Sequence, residues 1–211
     1  MTSEVSSCTK KSRGRPKVFD REAALDKAMT LFWQHGYEAT SLSDLVEATG
    51  AKAPTLYAEF TNKEGLFRAV LDRYIARFAR QHEALLECEE KPVEEALLDY
   101  FSAIASCFTS TDTPAGCFMI NTSATLAASS QEIAKTIKTR HARQEETLQH
   151  FLAQRQAKGE IPTGVDIAAL AQFLGCILQG MSISAREGAS LEKLLQITRT
   201  TLRLWPDLIK A

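Results

Sequence analysis

From Ser41 to Phe60 the chain reads SLSDLVEATGAKAPTLYAEF, and the glycine near its middle divides the stretch into two short helical segments that meet at an angle. Ser41 stands just before Leu42 and Leu45, with Asp44 three positions on. Its hydroxyl therefore caps orphan amides while the carboxylate suits the positive end of a helix. Leu42, Leu45 and Val46 make one buried stripe. Gly50 lies just past that stripe, where a left-handed residue ends a helix without a Cβ penalty and turns the chain sharply. Pro54 fits the first turn of the next helix because an amide hydrogen there has no helical partner to lose. Leu56 and Phe60, four apart, return one face to the core. Two helices at this spacing suit a helix-turn-helix, whose second helix enters the DNA major groove. The outward face offers Lys52, Ala53, Pro54, Thr55 and Ala58 as readers, with Tyr57 and Lys63 reaching phosphates at the flank. The plainer reading of the same residues is an ordinary helix pair in an all-α protein.

The residues upstream favour DNA. Lys10 to Lys17 reads KKSRGRPK, with five cations and no acid. Residues 1–17 are thus expected to be a flexible basic arm, in which Arg13 and Arg15 around a Gly-Arg-Pro run lie extended in a minor groove. A solvated basic tail without a partner is the alternative. The chain as a whole holds 25 Lys and Arg against 26 Asp and Glu, but its halves differ. Residues 1–80 hold 13 against 10, and residues 81–211 hold 12 against 16. The positive half contains the reading helix, and its modest excess implies binding that needs two copies and weakens steeply with salt.

The rest reads as helices. Phe67, Val70, Leu71, Tyr74, Ile75 and Phe78 recur at three and four, predicting a long helix from Lys63 to about Leu86. Val93, Leu97, Tyr100, Phe101, Ile104, Ala105 and Phe108 do the same. Breaks are expected near Lys91-Pro92, Asp112-Thr113-Pro114, Gly159 to Gly164 and Glu187-Gly188, and no strand signal interrupts. The expected fold class is all-α, with about nine helices. A head at 18–78 carries the motif at 41–60, and a body occupies 79–211. Ile167 to Ala185 is free of charge for 19 residues, enough in length for a membrane span. Gln172, Gln179, Ser182 and Ser184 inside it argue instead for a buried helix of a protein without a membrane partner. With Leu191, Leu194, Leu195, Thr198, Leu202 and Trp205 following at helical spacing, the last two helices supply both core and a self-complementary face.

Catalytic and metal chemistry find little support. Cys8, Cys88, Cys107, Cys117 and Cys176 form no CxxC pair and have no histidine at ligand spacing, so no metal or cofactor is expected and a reducing cytoplasm suits them. Cys107 and Cys117, ten apart across a break, leave open a thiol sensor or soft-metal site. His35, His82, His141 and His150 have no nucleophilic partner legible in sequence, and there is no Gly-rich phosphate loop. An enzyme is therefore not expected.

Residues 18–80 resemble the N-terminal domain of the TetR family of bacterial transcriptional regulators. The likeness runs through DREAALDKAMTLFWQHGYEATSL, Gly50, Thr55-Leu56-Tyr57, Phe60 and Lys63-Glu64-Gly65-Leu66. It implies that Tyr57 and Lys63 contact phosphate, and that Thr40 and Ser41 start the second helix close to the DNA backbone. Val46 departs from the family's usual alanine, which predicts a helix pair that is slightly splayed or repacked. Glu59 departs from an aromatic or histidine, and either accepts from a cytosine amino group or faces away from phosphate. The resemblance further implies a homodimer through the last two helices, with Leu174, Leu178, Leu191, Leu195 and Leu202 as interface candidates. It implies as well a small-molecule inducer in the body, with Phe101, Ile104, Cys117, Phe118, Asn121, Phe173 and Met181 as pocket candidates. The function expected is a dimeric repressor released from a palindromic double-stranded operator by that inducer. The alternatives are a thiol- or soft-metal-sensing helical regulator using Cys107 and Cys117, and a helical interaction protein without DNA binding.

Overall fold

Asp20 opens the first helix by accepting from the Ala23 amide at 3.0 Å, and from there the chain is built of helices ended by the residues that punctuate its sequence. The computed structural model describes residues 19–88, 90–126 and 130–210; Arg13, Arg15 and the rest of the basic arm lie outside them. The head comprises α1 (Arg21–Ala39), α2 (Leu42–Thr49), α3 (Ala53–Phe60) and α4 (Lys63–Tyr74). A π-helical segment, Ile75–Ala79, continues α4 into α5 (Arg80–Glu83). The body follows as α6 (Val93–Phe108), α7 (Phe118–Ser123), α8 (Gln131–Ala157), α9 (Ile167–Arg186), α10 (Leu191–Arg203) and the single turn α11 (Trp205–Leu208). With α4, the π segment and α5 taken as one rod, these are the nine expected helices plus one terminal turn among the described residues. The expected breaks at Pro92, Pro114, Gly159 to Gly164 and Gly188 all fall between helices.

The long helix predicted from Lys63 to Leu86 is not uniform. Beyond Tyr74 the Arg80 amide bonds to the Ile75 carbonyl, five residues back instead of four. The extra residue in that turn rotates everything after it relative to α4. An apolar pattern read at three and four does not reveal such a turn, because the stripe resumes on the far side.

Head and body share one aromatic cluster. Phe118 of α7 lies 5.5 Å from Phe67, 5.3 Å from Tyr74 and 6.0 Å from Trp33, ring centre to ring centre. It joins α1 and α4 to the body, and burying such a side chain contributes about 1.5–3 kcal/mol. Polar ties act within the head and across the junction. Arg73 of α4 pairs with Asp26 of α1 at 2.7 Å and also with Glu22, while Arg140 of α8 reaches Asp72 of α4 at 2.7 Å. Deeper in the body, Arg155 is buried with its guanidinium on the Cys88 and Lys91 carbonyls and on Glu160. Each of these partners satisfies a donor whose burial would otherwise be costly. By length and composition α9 could cross a membrane, but Leu170, Leu174, Leu178 and Met181 set one side of it into the body core.

Candidate nucleic-acid interface

The start of α2 is closed by reciprocal bonds. The Asp44 amide donates to the Ser41 hydroxyl at 3.1 Å and the Ser41 amide to the Asp44 carboxylate at 2.7 Å, which holds the Asp44 carboxyl below the usual carboxylate range. Gly50 ends α2 at φ 68°, ψ 9°, with its amide on the Val46 carbonyl. Lys52 then caps α3, and Pro54 stands in its first turn. Leu45, Leu56 and Phe60 are buried, whereas Leu42 and Val46 are only half-buried, so the stripe expected of α2 narrows to Leu45.

Opposite that buried side, α3 presents Lys52, Pro54, Tyr57 and Ala58 to solvent, with Ala53 and Thr55 half-buried beside them. Tyr57 is 43% exposed. Lys63, at the start of α4, lies half-buried, with its ammonium 4.4 Å from the centre of the Tyr37 ring and donating to the Glu38 carbonyl at 3.5 Å. Burial draws its pKa down, against the opposing pull of Glu38 and Asp44. The packing explains one departure and corrects one expectation. Glu59 accepts from Arg21 of α1 at 2.7 Å, and Arg21 in turn lies 5.3 Å from the centre of the Phe60 ring. The carboxylate is thereby paired and turned toward α1. Thr40, expected near phosphate, is 1% exposed, and its hydroxyl donates to the Gly36 carbonyl at 2.8 Å. Its side chain fixes the end of α1 and has no surface left for a phosphate, while Ser41 beside it stays exposed.

Sequence reasoning missed the residue that sets α3 against α4. A Cβ on Gly65 would lie 2.0 Å from the Phe60 carbonyl oxygen. Only glycine lets the first turn of α4 approach the end of α3 so closely. A glycine inside a helical pattern was the available signal, since helices avoid it unless packing requires it.

The body encloses a cavity of about 90 Å³ with an open mouth. Three helical stripes line it: Tyr74, Ile75, Ala79 and Glu83 from the rod, Tyr100, Ile104 and Phe108 from α6, and Arg140, Arg143 and Gln144 from α8. Cys117 and Met119 close one end. Of the seven pocket candidates Ile104 and Cys117 belong to this lining, and the other five do not. Phe101 and Met181 are buried in the core and Phe173 packs half-buried against it. Phe118 serves the aromatic cluster, and the Asn121 amide donates to the Ala115 carbonyl at 2.9 Å. Helical spacing marks which residues are buried but not which of several buried faces meets a void.

The interface candidates divide in a similar way. Leu174 and Leu178 are buried within a single chain, so they have no area left to bury against a second. The outward stripe of α9 is instead Gln172, Cys176, Gln179, Gly180 and Ile183. Ile183 is 51% exposed and Leu204 49%. Leu191 is also exposed, and Leu195 and Leu202 lie half-buried along the same face of α10.

The family profile described as bacterial regulatory proteins, tetR family, matches residues 24–70, and one described as a tetracyclin repressor-like C-terminal domain matches residues 93–200. The HTH-type transcriptional repressor ComR of Escherichia coli (strain K12) is 76% identical over 210 residues, covering 100% of both chains. This chain belongs to the TetR family. The HTH-type transcriptional repressor BdcR of the same organism is 30% identical over 181 residues, 86% of each chain. Among solved structures, the TetR family transcriptional regulator CifR, a cysteine-substituted form complexed with 26-base-pair double-stranded operator DNA, superposes with a TM-score of 0.86. It is 31% identical, and the match covers 91% of this chain and 100% of that one.

These regulators give the thiol alternative no added ground. In this TetR-family chain burial pushes the Cys107 thiol up to about 11 and raises Cys117, whose sulfur lies 3.4 Å from the Tyr74 hydroxyl. Both thiols are therefore protonated at neutral pH. Among the described residues no three or more His, Cys, Asp or Glu side chains gather to hold a metal.

Proposed function

We propose that this TetR-family protein is a ligand-responsive transcriptional repressor that binds a near-palindromic double-stranded operator as a homodimer and is released by a small-molecule inducer. The observation that carries the reading is α3. It is a helix of eight residues, fixed on one side by Leu56 and Phe60 and at both ends by Gly50 and Gly65, with its opposite face left exposed by the described residues. Relatives named as repressors, and a neighbour solved on operator DNA, support it.

In this reading residues 18–78 are the DNA-binding head and 79–211 the ligand and dimer body. Lys52, Ala53, Pro54 and Thr55 meet base edges, Tyr57, Lys63 and the Ser41 region meet phosphates, and Arg13 and Arg15 enter the minor groove. The stripes of α9 and α10 pair with their copies. A two-fold dimer sets the two α3 helices about one DNA turn, or roughly 34 Å, apart. Working on DNA places the protein in the cytoplasm. A ligand in the cavity that prefers the non-binding arrangement by about 100-fold supplies roughly 2.7 kcal/mol, within the usual range of allosteric coupling.

The test is fluorescence anisotropy of labelled promoter fragments at several salt concentrations, with sedimentation of the complex. The reading predicts two chains per duplex and affinity that falls steeply with salt. Absence of salt-sensitive binding to every duplex would instead favour a helical interaction protein.

A further inference from the structure

The lining of the body cavity is apolar at its floor and cationic around its mouth. Ile75, Ile104, Phe108 and Met119 offer carbon surface, while Arg80, Arg140 and Arg143 bring three guanidinium groups against the single carboxylate of Glu83. Arg140 and Arg143 are three apart on α8 and so share one face. Arg80 and Arg143 have no ion-pair partner among the described residues. Arg140 has one, and it is Asp72 of α4, at 2.7 Å. One guanidinium therefore belongs both to the cavity lining and to the tie between body and head. The π segment that rotates the rod begins at Ile75, in the same lining.

We infer that the cavity receives a small amphipathic anion, a carboxylate on a short aliphatic body, recognised by Arg80, Arg140 and Arg143, and that it loosens the head by drawing Arg140 away from Asp72. This rests on the reading of the chain as a ligand-released repressor. The size follows from the volume. A dry cavity of about 150 Å³ holds benzene, so about 90 Å³ is too small for an aromatic ring and suits a body of roughly three or four carbons with its charged end at the mouth. Burial holds the pKa of His82, on the same lining, down, so the positive excess at neutral pH comes from the arginines. The exchange is open to solvent competition, since Arg140 and Asp72 are both partly exposed.

The test uses the full chain with butyrate and valerate as probes, set against butyramide, valeramide and butylamine. Binding is read by calorimetry, and release by anisotropy on a duplex that the protein has been shown to bind. The carboxylates should bind at least tenfold more tightly than their amides and should release the duplex. Arg143→Gln should remove that preference, and Glu83→Gln should strengthen carboxylate binding. Asp72→Asn should still bind carboxylate but show a smaller change in duplex affinity when it does. Equal binding of amides and carboxylates, tighter binding of butylamine, or no binding of any probe to a protein that holds its duplex would overturn the inference and leave the repressor reading standing. Failure to bind any duplex would overturn both.

Discussion

Replacing Gly65 by alanine tests whether the seating of α3 on α4 is what gives the reading helix its place. The added Cβ would lie 2.0 Å from the Phe60 carbonyl oxygen, an atom of the backbone that cannot swing aside as a side chain can. Relief requires α3 and α4 to separate by about 1 Å, because real Cβ contacts do not fall below 3.0 Å. Overpacking of this kind costs about 1–3 kcal/mol, and the better helix propensity of alanine returns less than about 1 kcal/mol of it. Binding should suffer more than folding. A shift of about 1 Å takes a hydrogen bond of about 2.9 Å past the length at which it counts as one. Losing one base contact per head costs about 1–3 kcal/mol, and the dimer has two heads. Gly65→Ala should therefore bind the preferred duplex at least about 30-fold more weakly, at roughly 1.4 kcal/mol per tenfold. Its helical circular dichroism should be retained, with only a modest fall in Tm. Duplex affinity within twofold of the parent would refute the reasoning.

Lys63→Ala is expected to weaken binding to all duplexes and to lower the salt slope by about one unit, whereas Thr55→Ala should alter which duplex is preferred; identical behaviour of the two in anisotropy titrations would contradict their separate roles. Ile183→Asp together with Leu204→Asp should give a monomer in sedimentation and a loss of duplex affinity of at least tenfold, and a dimer that persists would exclude that face. Burial holds His82 and His141 below the ordinary imidazole value of 6.5. As pH falls through 6.5 the unfolded chain takes up protons before the folded one, so their contribution is fully present above that value and is lost below it. Tm should fall from pH 7 toward 5.5, with a flatter profile in His82→Gln/His141→Gln; a parent Tm that rises on acidification would contradict the assignment.

The local signals of the head were legible because each is decided within a few residues. Ser41 and Asp44 cap reciprocally, Gly50 turns left-handed and Pro54 opens α3. What escaped depends on a distant partner in one case and on a local kink in the other. Glu59 finds its partner 38 residues away in Arg21, and Thr40 is buried by the kink of α1 at Gly36. No local window contains the first contact, and the second, only four residues long, depends on a kink that the helical pattern of α1 does not reveal. The body was legible as helices but not as faces. Tyr100 and Phe101 are neighbours at the same buried level, yet only Tyr100 meets the cavity. Leu174 and Leu178 carry the spacing of an interface but are consumed by the chain's own core. The π turn after Tyr74 added a rotation that a period of 3.6 does not encode.

The most direct measurement of the central claim is selection of bound duplexes from a random pool by the full chain, followed by alignment of the survivors. The account predicts an inverted repeat whose half-sites lie about one helical turn apart, roughly 10 base pairs, matching two α3 helices related by a two-fold axis. Survivors with no common sequence, or with a single half-site of no symmetry, would contradict it.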